Sequence, residues 1–245
     1  MSLIDYVDSK SEPTYAVFIA FKAAFDNVSR RKLIHTAAEK FDVRAKMLKV
    51  LGSILQPNEL IIDTGTNLSK PIIQYKGVAQ GDSISPLLFV LFIDGLLQRL
   101  ERRKVLAKMF ADDLVLACVD AGELQRELSA VSIWCDENGM IVNTTKTKAV
   151  KFRKAGPTGK TKLYINRTPK EFVQSFKYLG ITMQPALGFC MHVEQLQVRT
   201  ASTIACLGNL RQIPLVLALK IFEMKIMSIV RCGMECISPR LSWGT

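Results

Sequence analysis

Two adjacent carboxylates, Asp112 and Asp113, stand between two apolar runs of the chain. The runs, within residues 105–119, predict two strands joined by a tight turn, which places both carboxylates at the tip of a hairpin. On neighbouring positions of a strand the two side chains point to opposite faces, but both stay near the turn. Divalent cations such as Mg²⁺ bind carboxylate oxygens together with substrate phosphate oxygens. The pair therefore indicates either metal-assisted phosphoryl transfer or a plain Asp-Asp turn.

A glycine-rich segment, Gly77 to Pro86, precedes this pair along the chain. Its glycines allow the backbone to approach a nucleotide closely, at a turn that leads into a helix. The amide of Gln80 can form hydrogen bonds at the same place. The segment therefore predicts a nucleotide contact.

The elements that must position these residues alternate irregularly between strand and helix. A β-branched and aromatic run over residues 14–21 predicts a buried strand, and helical spacing over 28–53 predicts two helices broken near Asp42. From His192 onward the pattern is helical, with Pro214 separating two segments. The fold class is therefore α+β with a helical C-terminal part. The remaining predicted elements are a hairpin of 59–63 with 72–76, helices over 83–99 and 122–137, and strands over 141–143, 149–152 and 162–165.

The charge balance favours a polyanionic partner. Thirty-three basic residues against 22 acidic ones give a net charge of +11, which suits nucleic acid or an anionic membrane face. The longest apolar run, Pro86–Leu97, contains Asp94 and is too short to span a bilayer. The N-terminal residues lack the continuous apolar core of a secretory signal. We therefore expect no membrane partner and an intracellular location, in the nucleus or the cytoplasm.

The six cysteines are scattered along the chain. The close pair Cys232 and Cys236 has no histidine or second pair nearby, whereas a zinc site needs about four ligands. We therefore expect core thiols in a reducing compartment.

Most of the excess charge lies in one stretch, residues 146–177. It contains ten basic residues and one acid, Glu171, a net charge of +9. Aromatic residues are interleaved with these charges, a composition that favours a nucleic-acid-binding face over the solvated surface of an ordinary basic protein. Lys151, Arg153 and Lys154 are the candidate nucleic-acid contacts within it.

Taken in order, these segments resemble the motifs of the reverse transcriptases of non-LTR (LINE-type) retrotransposons. The resemblance implies a reverse-transcriptase-like palm, an antiparallel sheet with packed helices, over residues 1–182. A helical thumb-like region is implied over residues 183–245. The matching segments are motif A at Ile19–Val28, motif B at Gly77–Phe89, motif C at Phe110–Asp113, motif D at Gly139–Thr147 and motif E, the primer grip, at Phe176–Gly180.

The resemblance also implies roles for single residues. Asp112 and Asp113 are the motif C carboxylates that hold Mg²⁺, with Asp112 the firmer ligand. Phe25 is the steric gate against a ribose 2′-hydroxyl or, alternatively, a core aromatic residue. The implied activity is RNA-directed DNA synthesis, with an RNA template and a primer strand, or an RNA–DNA hybrid, as partners. The other implied contacts are Gln80 and Gly81 with the nucleotide and template, Lys146 with the leaving pyrophosphate, and Lys177, Tyr178 and Gly180 with the primer end.

Two departures from the family pattern change this expectation. The family has an aspartate five residues before the gate, at the end of the motif A strand, where this chain has Ala20. The resemblance implies that Ala20 and the carboxylates of Asp112 and Asp113 lie on neighbouring strands of a shared sheet. Asp26 follows the gate and is expected to point elsewhere, so it does not replace that carboxylate. Only 19 residues precede Ala20, so we expect the fingers region to be missing. Because metal positioning contributes several kcal/mol to catalysis, we expect weak or absent Mg²⁺ binding and impaired or lost polymerase activity.

Three hypotheses follow. In the first, the chain is a palm–thumb fragment of a reverse transcriptase, in which Ala20 is an engineered replacement in an active enzyme or a natural loss in a decayed relative. Alternatively, it is a host-adopted relative that binds RNA or an RNA–DNA duplex without catalysis. In the third hypothesis it is an interaction protein whose apolar C-terminal helix, within residues 215–229, packs on a partner or on a second copy, unless that stripe is simply core.

Overall fold

The computed structural model describes residues 2–100, 105–152, 161–207 and 214–234 of the chain. A 3₁₀ turn covers Phe25–Asn27 and a π-helical turn covers Phe222–Met227. The helices are α1 (Leu3–Asp8), α2 (Arg30–Lys40), α3 (Ala45–Ile54), α4 (Ser85–Leu100), α5 (Ala121–Asn138), α6 (Cys190–Cys206), α7 (Leu215–Ile221) and α8 (Ser228–Val230). The strands are β1 (Thr14–Ala20), β2 (Asn58–Leu60), β3 (Ile72–Gln74), β4 (Leu106–Phe110), β5 (Asp113–Cys118), β6 (Lys148–Phe152), β7 (Tyr164–Ile165), β8 (Thr168–Pro169), β9 (Phe176–Tyr178) and β10 (Ile181–Met183).

Two compact units divide the chain. The sheet unit consists of Tyr15–Ala149 and Lys160–Glu171. The C-terminal unit consists of Met1–Thr14, Val150–Gly159 and Phe172–Thr245.

The largest sheet in the described residues is four-stranded and antiparallel, with strand order β4-β5-β1-β6. β1 is apolar on both faces, and Val17, Phe18 and Ile19 are at most 2% exposed. β5 pairs antiparallel with β1 on one side and with β4 on the other. The predicted buried strand over 14–21, the predicted hairpin over 105–119 and the α+β class are therefore confirmed.

Three helices of the sheet unit bury their apolar sides: α4 packs against α2 and α5, and α5 packs against β5. Phe92 of α4 meets Trp134 of α5 edge to face, with ring centroids 5.7 Å apart. The Asp120 side chain caps α5 by accepting hydrogen bonds from two backbone N–H groups of its first turn. Gly139 ends the helix at φ 70°, a conformation that suits glycine. The predicted helix over 122–137 is confirmed.

The connections of the sheet unit follow the prediction with one exception. The chain breaks between α2 and α3 at Asp42, where φ is 46°, and β2 pairs with β3 as the predicted hairpin. The predicted strand over 141–143 is wrong, because Val142 alone forms a bridge, with Phe21. The side chain of Asn143 accepts a hydrogen bond from the backbone N–H of Lys146, and this cap turns the chain away from the sheet direction.

In the C-terminal unit, β9 and β10 form a two-stranded sheet, and α6 packs against β10. His192 of α6 is 2% exposed and accepts a hydrogen bond at Nδ1 from the Thr182 N–H, at 3.3 Å. The predicted separation of two helical segments at Pro214 is confirmed. Leu215 and Val216 of α7 are 73% and 68% exposed, so the reading of that stripe as core is wrong for these two residues.

The cysteines divide between core and surface. Cys118 and Cys135 are buried as predicted, and burial raises the pKa of the Cys135 thiol to about 12. The prediction of core thiols is wrong for Cys190 and Cys206, which are exposed. None of the helices in the described ranges has the length and apolar character that crossing a bilayer requires.

Candidate active site

The two carboxylates lie where β4 turns into β5. Ala111 adopts φ 50° in this turn, and Phe110 pairs with Asp113 across it. Asp113 also pairs with Ala20 of β1. The prediction that Ala20 and the carboxylates lie on neighbouring strands of one sheet is therefore confirmed. Residues directly opposite each other in an antiparallel pair project to the same face, so a side chain at position 20 lies beside that of Asp113.

An open cleft of about 580 Å³ lies next to this turn. It brings together five residues that the sequence predicted as a site: Phe25, Gln80, Gly81, Asp112 and Lys146. Its other walls come from the segment between β1 and the 3₁₀ turn, from the loop that precedes α4 and from the start of α4, through Phe21, Ala23, Ala24, Ala79, Asp82, Ser85 and Pro86. Ala20 and Asp113 are not among the residues that line it.

Phe25 is held in the cleft wall by stacking. Its ring lies against that of Phe89 of α4, with centroids 4.7 Å apart and planes 18° apart. Phe89 is 1% exposed, so the gate candidate rests on a buried neighbour while one part of it faces the cleft. Phe25 is half-buried and both lines the cleft and packs on a core residue, so its role as a steric gate stays a prediction.

The loop that carries Gln80 lies directly on the segment that follows Phe25. Gly77 has φ 87°, and a Cβ at this position would come within 2.8 Å of the Asp26 backbone. The Gly77 N–H donates to the Val28 carbonyl, and the Val78 N–H donates to the Phe25 carbonyl. Further along, the Gln80 Nε2 lies 3.3 Å from each Asp26 carboxylate oxygen. Asp26 does not line the cleft, and its carboxylate instead restrains Gln80.

A second loop, Asn143–Thr147, places Lys146 at the cleft. The Asn143 side chain accepts hydrogen bonds from the Lys146 N–H and the Thr145 hydroxyl. The backbone N–H of Asn143 donates to the Ala20 carbonyl at 2.8 Å, and Thr147 Oγ1 accepts from the Ala20 N–H at 3.4 Å. Ala20 is therefore the point at which β1, the carboxylate turn and the Lys146 loop meet.

The electrostatics at the turn disfavour a second negative charge. Burial, and then the charge of Asp112, raise the pKa of the Asp113 carboxyl above its usual value, while Lys146 acts in the opposite direction. Within the described ranges, no three His, Cys, Asp or Glu side chains are grouped so that they could hold a metal ion. Two carboxylates and the methyl group of Ala20 thus supply fewer ligands than a pair of divalent cations needs.

The predicted primer-end residues lie in the β9–β10 hairpin of the C-terminal unit. Lys177 is exposed, whereas Tyr178 is 9% exposed and packs in the interior of its unit. Gly180 has φ 87° in the connecting turn, where glycine is favoured. Lys151 lies on β6 and is half-buried. Arg153 and Lys154 lie outside the described residues.

Arg30 is the main residue near the cleft that the sequence did not indicate as part of the site. Its guanidinium is buried and donates to the Gly77 carbonyl. An arginine at the start of an amphipathic helix is usually solvated, so no sequence pattern distinguishes this one. The sequence did not indicate Phe89 either, because the apolar spacing of α4 does not distinguish it from the other buried aromatic residue of that helix.

The sequence matches the family described as "Reverse transcriptase (RNA-dependent DNA polymerase)" over residues 1–183. It is 27% identical over 242 residues to "Probable RNA-directed DNA polymerase from transposon BS" of Drosophila melanogaster, covering 94% of this chain and 26% of that protein. It is 26% identical over 207 residues to "Putative 115 kDa protein in type-1 retrotransposable element R1DM" of the same organism, covering 82% of this chain and 20% of that protein. The chain thus spans about a fifth to a quarter of these curated relatives.

Solved structures of similar fold include telomerases. The telomerase of Candida tropicalis, in complex with a TWJ fragment of telomeric RNA, superposes with a TM-score of 0.56 and 14% identity, over 96% of this chain and 41% of that one. The telomerase of Candida albicans, in complex with a TWJ fragment of telomeric RNA, superposes with a TM-score of 0.52 and 15% identity, over 96% of this chain and 42% of that one. At this identity the likeness concerns the fold.

Proposed function

Because the chain belongs to the reverse transcriptase (RNA-dependent DNA polymerase) family, and its curated relatives are reverse transcriptases of non-LTR retrotransposons, we propose that its cleft receives a nucleoside triphosphate beside a primer–template. Phe25 forms the wall against the sugar, Gln80 and Gly81 contact the nucleotide, and Lys146 meets the leaving pyrophosphate. The observation that carries this proposal is the convergence of these residues with Asp112 in one cleft.

The same proposal assigns a weakened or absent catalytic step to this chain. Divalent cations, when bound at such a site, stabilise the attacking and leaving oxygens of phosphoryl transfer. The residues present do not fit that pair of ions, because Ala20 offers a methyl group where a third carboxylate would lie beside Asp113. Burial and the charge of Asp112 outweigh the effect of Lys146 and raise the pKa of Asp113, so the turn already disfavours two negative charges. The chain's own contribution is then to bind and orient nucleotide and nucleic acid.

The partner in this proposal is an RNA template with a primer strand, or an RNA–DNA hybrid. The net charge of +9 over residues 146–177 supports a polyanion. Lys146 at the cleft and the exposed Lys177 of β9 are members of this basic segment within the described ranges. Telomerases of similar fold have been solved with an RNA fragment.

Ala20 favours a second candidate function, a host-adopted protein that binds RNA or an RNA–DNA hybrid without copying it. Loss of RNA copying would remove selection on the carboxylate at position 20 while retaining the fold and the basic residues. Under this function, an aspartate at position 20 is not expected to produce polymerase activity.

Primer extension on an RNA template tests the proposal. We compare the chain with Ala20→Asp, and use Ala20→Asp combined with Asp112→Asn as the matched control. Ala20→Asp is expected to raise extension at least a hundredfold, about 3 kcal/mol of transition-state stabilisation, and the double variant is expected to lose this gain. If Ala20→Asp does not extend the primer, yet both chains bind RNA with a steep salt dependence, the non-catalytic binding function replaces the first proposal. If neither chain binds RNA, both functions are wrong.

A further inference from the structure

A buried guanidinium lies behind the nucleotide cleft. Arg30, in the first turn of α2, is 7% exposed. Its Nη1 lies within 3.5 Å of four oxygens, those of Leu55, Gln56 and Gln74 in the backbone and Oδ1 of Asn58. Its Nε donates separately to the Gly77 carbonyl at 2.8 Å. No carboxylate of the described residues forms an ion pair with it, so the charge is stabilised by carbonyl dipoles alone.

The two ends of this side chain serve different parts of the fold. The Nη1 group joins the end of α3 to both strands of the β2–β3 hairpin. The Nε group holds the backbone at Gly77, three residues before Gln80. Arg30 itself is absent from the residues that line the cleft. Its hydrogen bond to the Gly77 carbonyl is the contact that links it to the loop carrying Gln80.

The Gly77 loop is held between Arg30 and the Phe25 turn. On one side its N–H groups at Gly77 and Val78 donate to the carbonyls of Val28 and Phe25. On the other side its carbonyl at Gly77 accepts from Arg30. Without that donor the buried Gly77 carbonyl would lack a hydrogen-bond partner from Arg30, which disfavours the present position of the loop.

We infer that Arg30 is a positioning residue for the nucleotide cleft: its Nε–H, by holding the Gly77 carbonyl, fixes the distance between the walls formed by Phe25 and Gln80. This inference rests on the proposed nucleotide site. It adds to that site a residue that touches no ligand but determines how tightly the nucleotide is bound.

Two substitutions separate the ends of the side chain. Arg30→Lys keeps a positive charge near the Nη1 oxygens, but places a carbon where Arg30 has Nε. Arg30→Gln removes the charge, but retains an N–H donor at the position of Nε. Arg31→Lys is the matched control, since Arg31 is the exposed neighbour on the same helix.

The first readout is hydrogen exchange at the Gly77 and Val78 amides, which reports the loop whether or not a nucleotide binds. The inference predicts exchange at least tenfold faster in Arg30→Lys, with β1 and β5 amides unchanged. Arg30→Gln is expected to keep near-normal exchange at these two amides, and Arg31→Lys to match the starting chain. Unchanged exchange in Arg30→Lys, or equal loosening of every element in both Arg30 variants, would overturn the inference. If Arg30→Lys does not fold, loosening of these two amides in Arg30→Gln would overturn it as well.

The second readout is the affinity for a fluorescent deoxynucleoside triphosphate, measured on the same variants. Arg30→Lys is expected to bind it about tenfold more weakly than the starting chain, and Arg30→Gln within about twofold. A loosened loop with unchanged affinity would overturn the role of Arg30 in nucleotide binding. If the starting chain binds no nucleotide, the proposed function fails instead, and the exchange rates alone decide whether Arg30 holds the loop.

Discussion

The cleft beside Ala20 and the β9–β10 hairpin both contain residues that match family motifs, but the fold holds these residues in different ways. At the cleft, backbone hydrogen bonds between distant segments fix the walls, such as those from Val78 to Phe25 and from Asn143 to Ala20. In the hairpin, Lys177 is exposed on a small sheet of two three-residue strands, which a two-residue turn joins. We conclude that substitutions at the cleft change geometry and stability, whereas those in the hairpin change charge and its response to salt.

The largest effect is expected from Gly77→Ala. The new Cβ would lie 2.8 Å from the Asp26 backbone, at a φ of 87° that disfavours alanine. Overpacking and backbone strain together are expected to lower the free energy of unfolding by about 3 kcal/mol, measured by urea denaturation. Gly65→Ala is the matched control, because Gly65 also has positive φ, at 79°, but has nothing within 4 Å of its Cβ position.

Gly65→Ala should lower the free energy of unfolding through backbone strain only, by about 1 kcal/mol. If both variants lower the free energy of unfolding equally, the close approach between the Gly77 loop and the Phe25 turn does not restrict the residue at position 77, and this part of the comparison is wrong.

A smaller effect is expected from Lys177→Ala in the hairpin. Removing one exposed phosphate contact should weaken RNA–DNA hybrid binding about threefold to fivefold, and lower the slope of log K against log salt by about 1. The free energy of unfolding should not change measurably, since Lys177 is exposed. Fluorescence anisotropy at several salt concentrations measures the slope, and Lys46→Ala, an exposed lysine of α3, is the control. An equal change of slope in both variants would assign the effect to net charge rather than to the hairpin.

The smallest effect is expected from Asp113→Asn, and it depends on pH. Burial and the charge of Asp112 raise the pKa of this carboxyl in the folded chain, so the folded state favours the protonated form. Its contribution to stability is therefore present at low pH and lost as pH rises through the folded pKa. Asp113→Asn should raise Tm by about 1–2 °C at pH 7, and by less below the usual carboxyl pKa of 3.8. A gain that is the same at both pH values would contradict this reading.

The sequence predicted most of the elements because their signals are local. β-branched and aromatic residues mark β1, amphipathic spacing marks α5, and two apolar runs mark the carboxylate hairpin. The Ala20–Asp113 proximity was predicted as well, because the motifs of a known family place both on one sheet. The same family pattern indicated Phe25, Gln80, Gly81, Asp112 and Lys146, which the structure brings together in the cleft.

The parts that sequence reasoning missed depend on long-range contacts. Asn143 looked like a strand residue, but its side chain caps a turn. The sequence indicates no role for Arg30, because the carbonyls that accept its hydrogen bonds come from distant segments. Tyr178 is 9% exposed, and the apolar pattern of a three-residue strand does not indicate how deeply it packs; its role at the primer end stays a prediction.

Metal binding tests the central claim, that position 20 is where this fold lacks a carboxylate, most directly. Titration with Mn²⁺, followed by its electron paramagnetic resonance signal, gives the affinity of the metal alone for the chain and for Ala20→Asp. An aspartate opposite Asp113 should bind Mn²⁺ at least tenfold more tightly than the starting chain, about 1.4 kcal/mol, and Asp112→Asn should remove this gain. Equal Mn²⁺ affinity with alanine and with aspartate at position 20 would contradict the account.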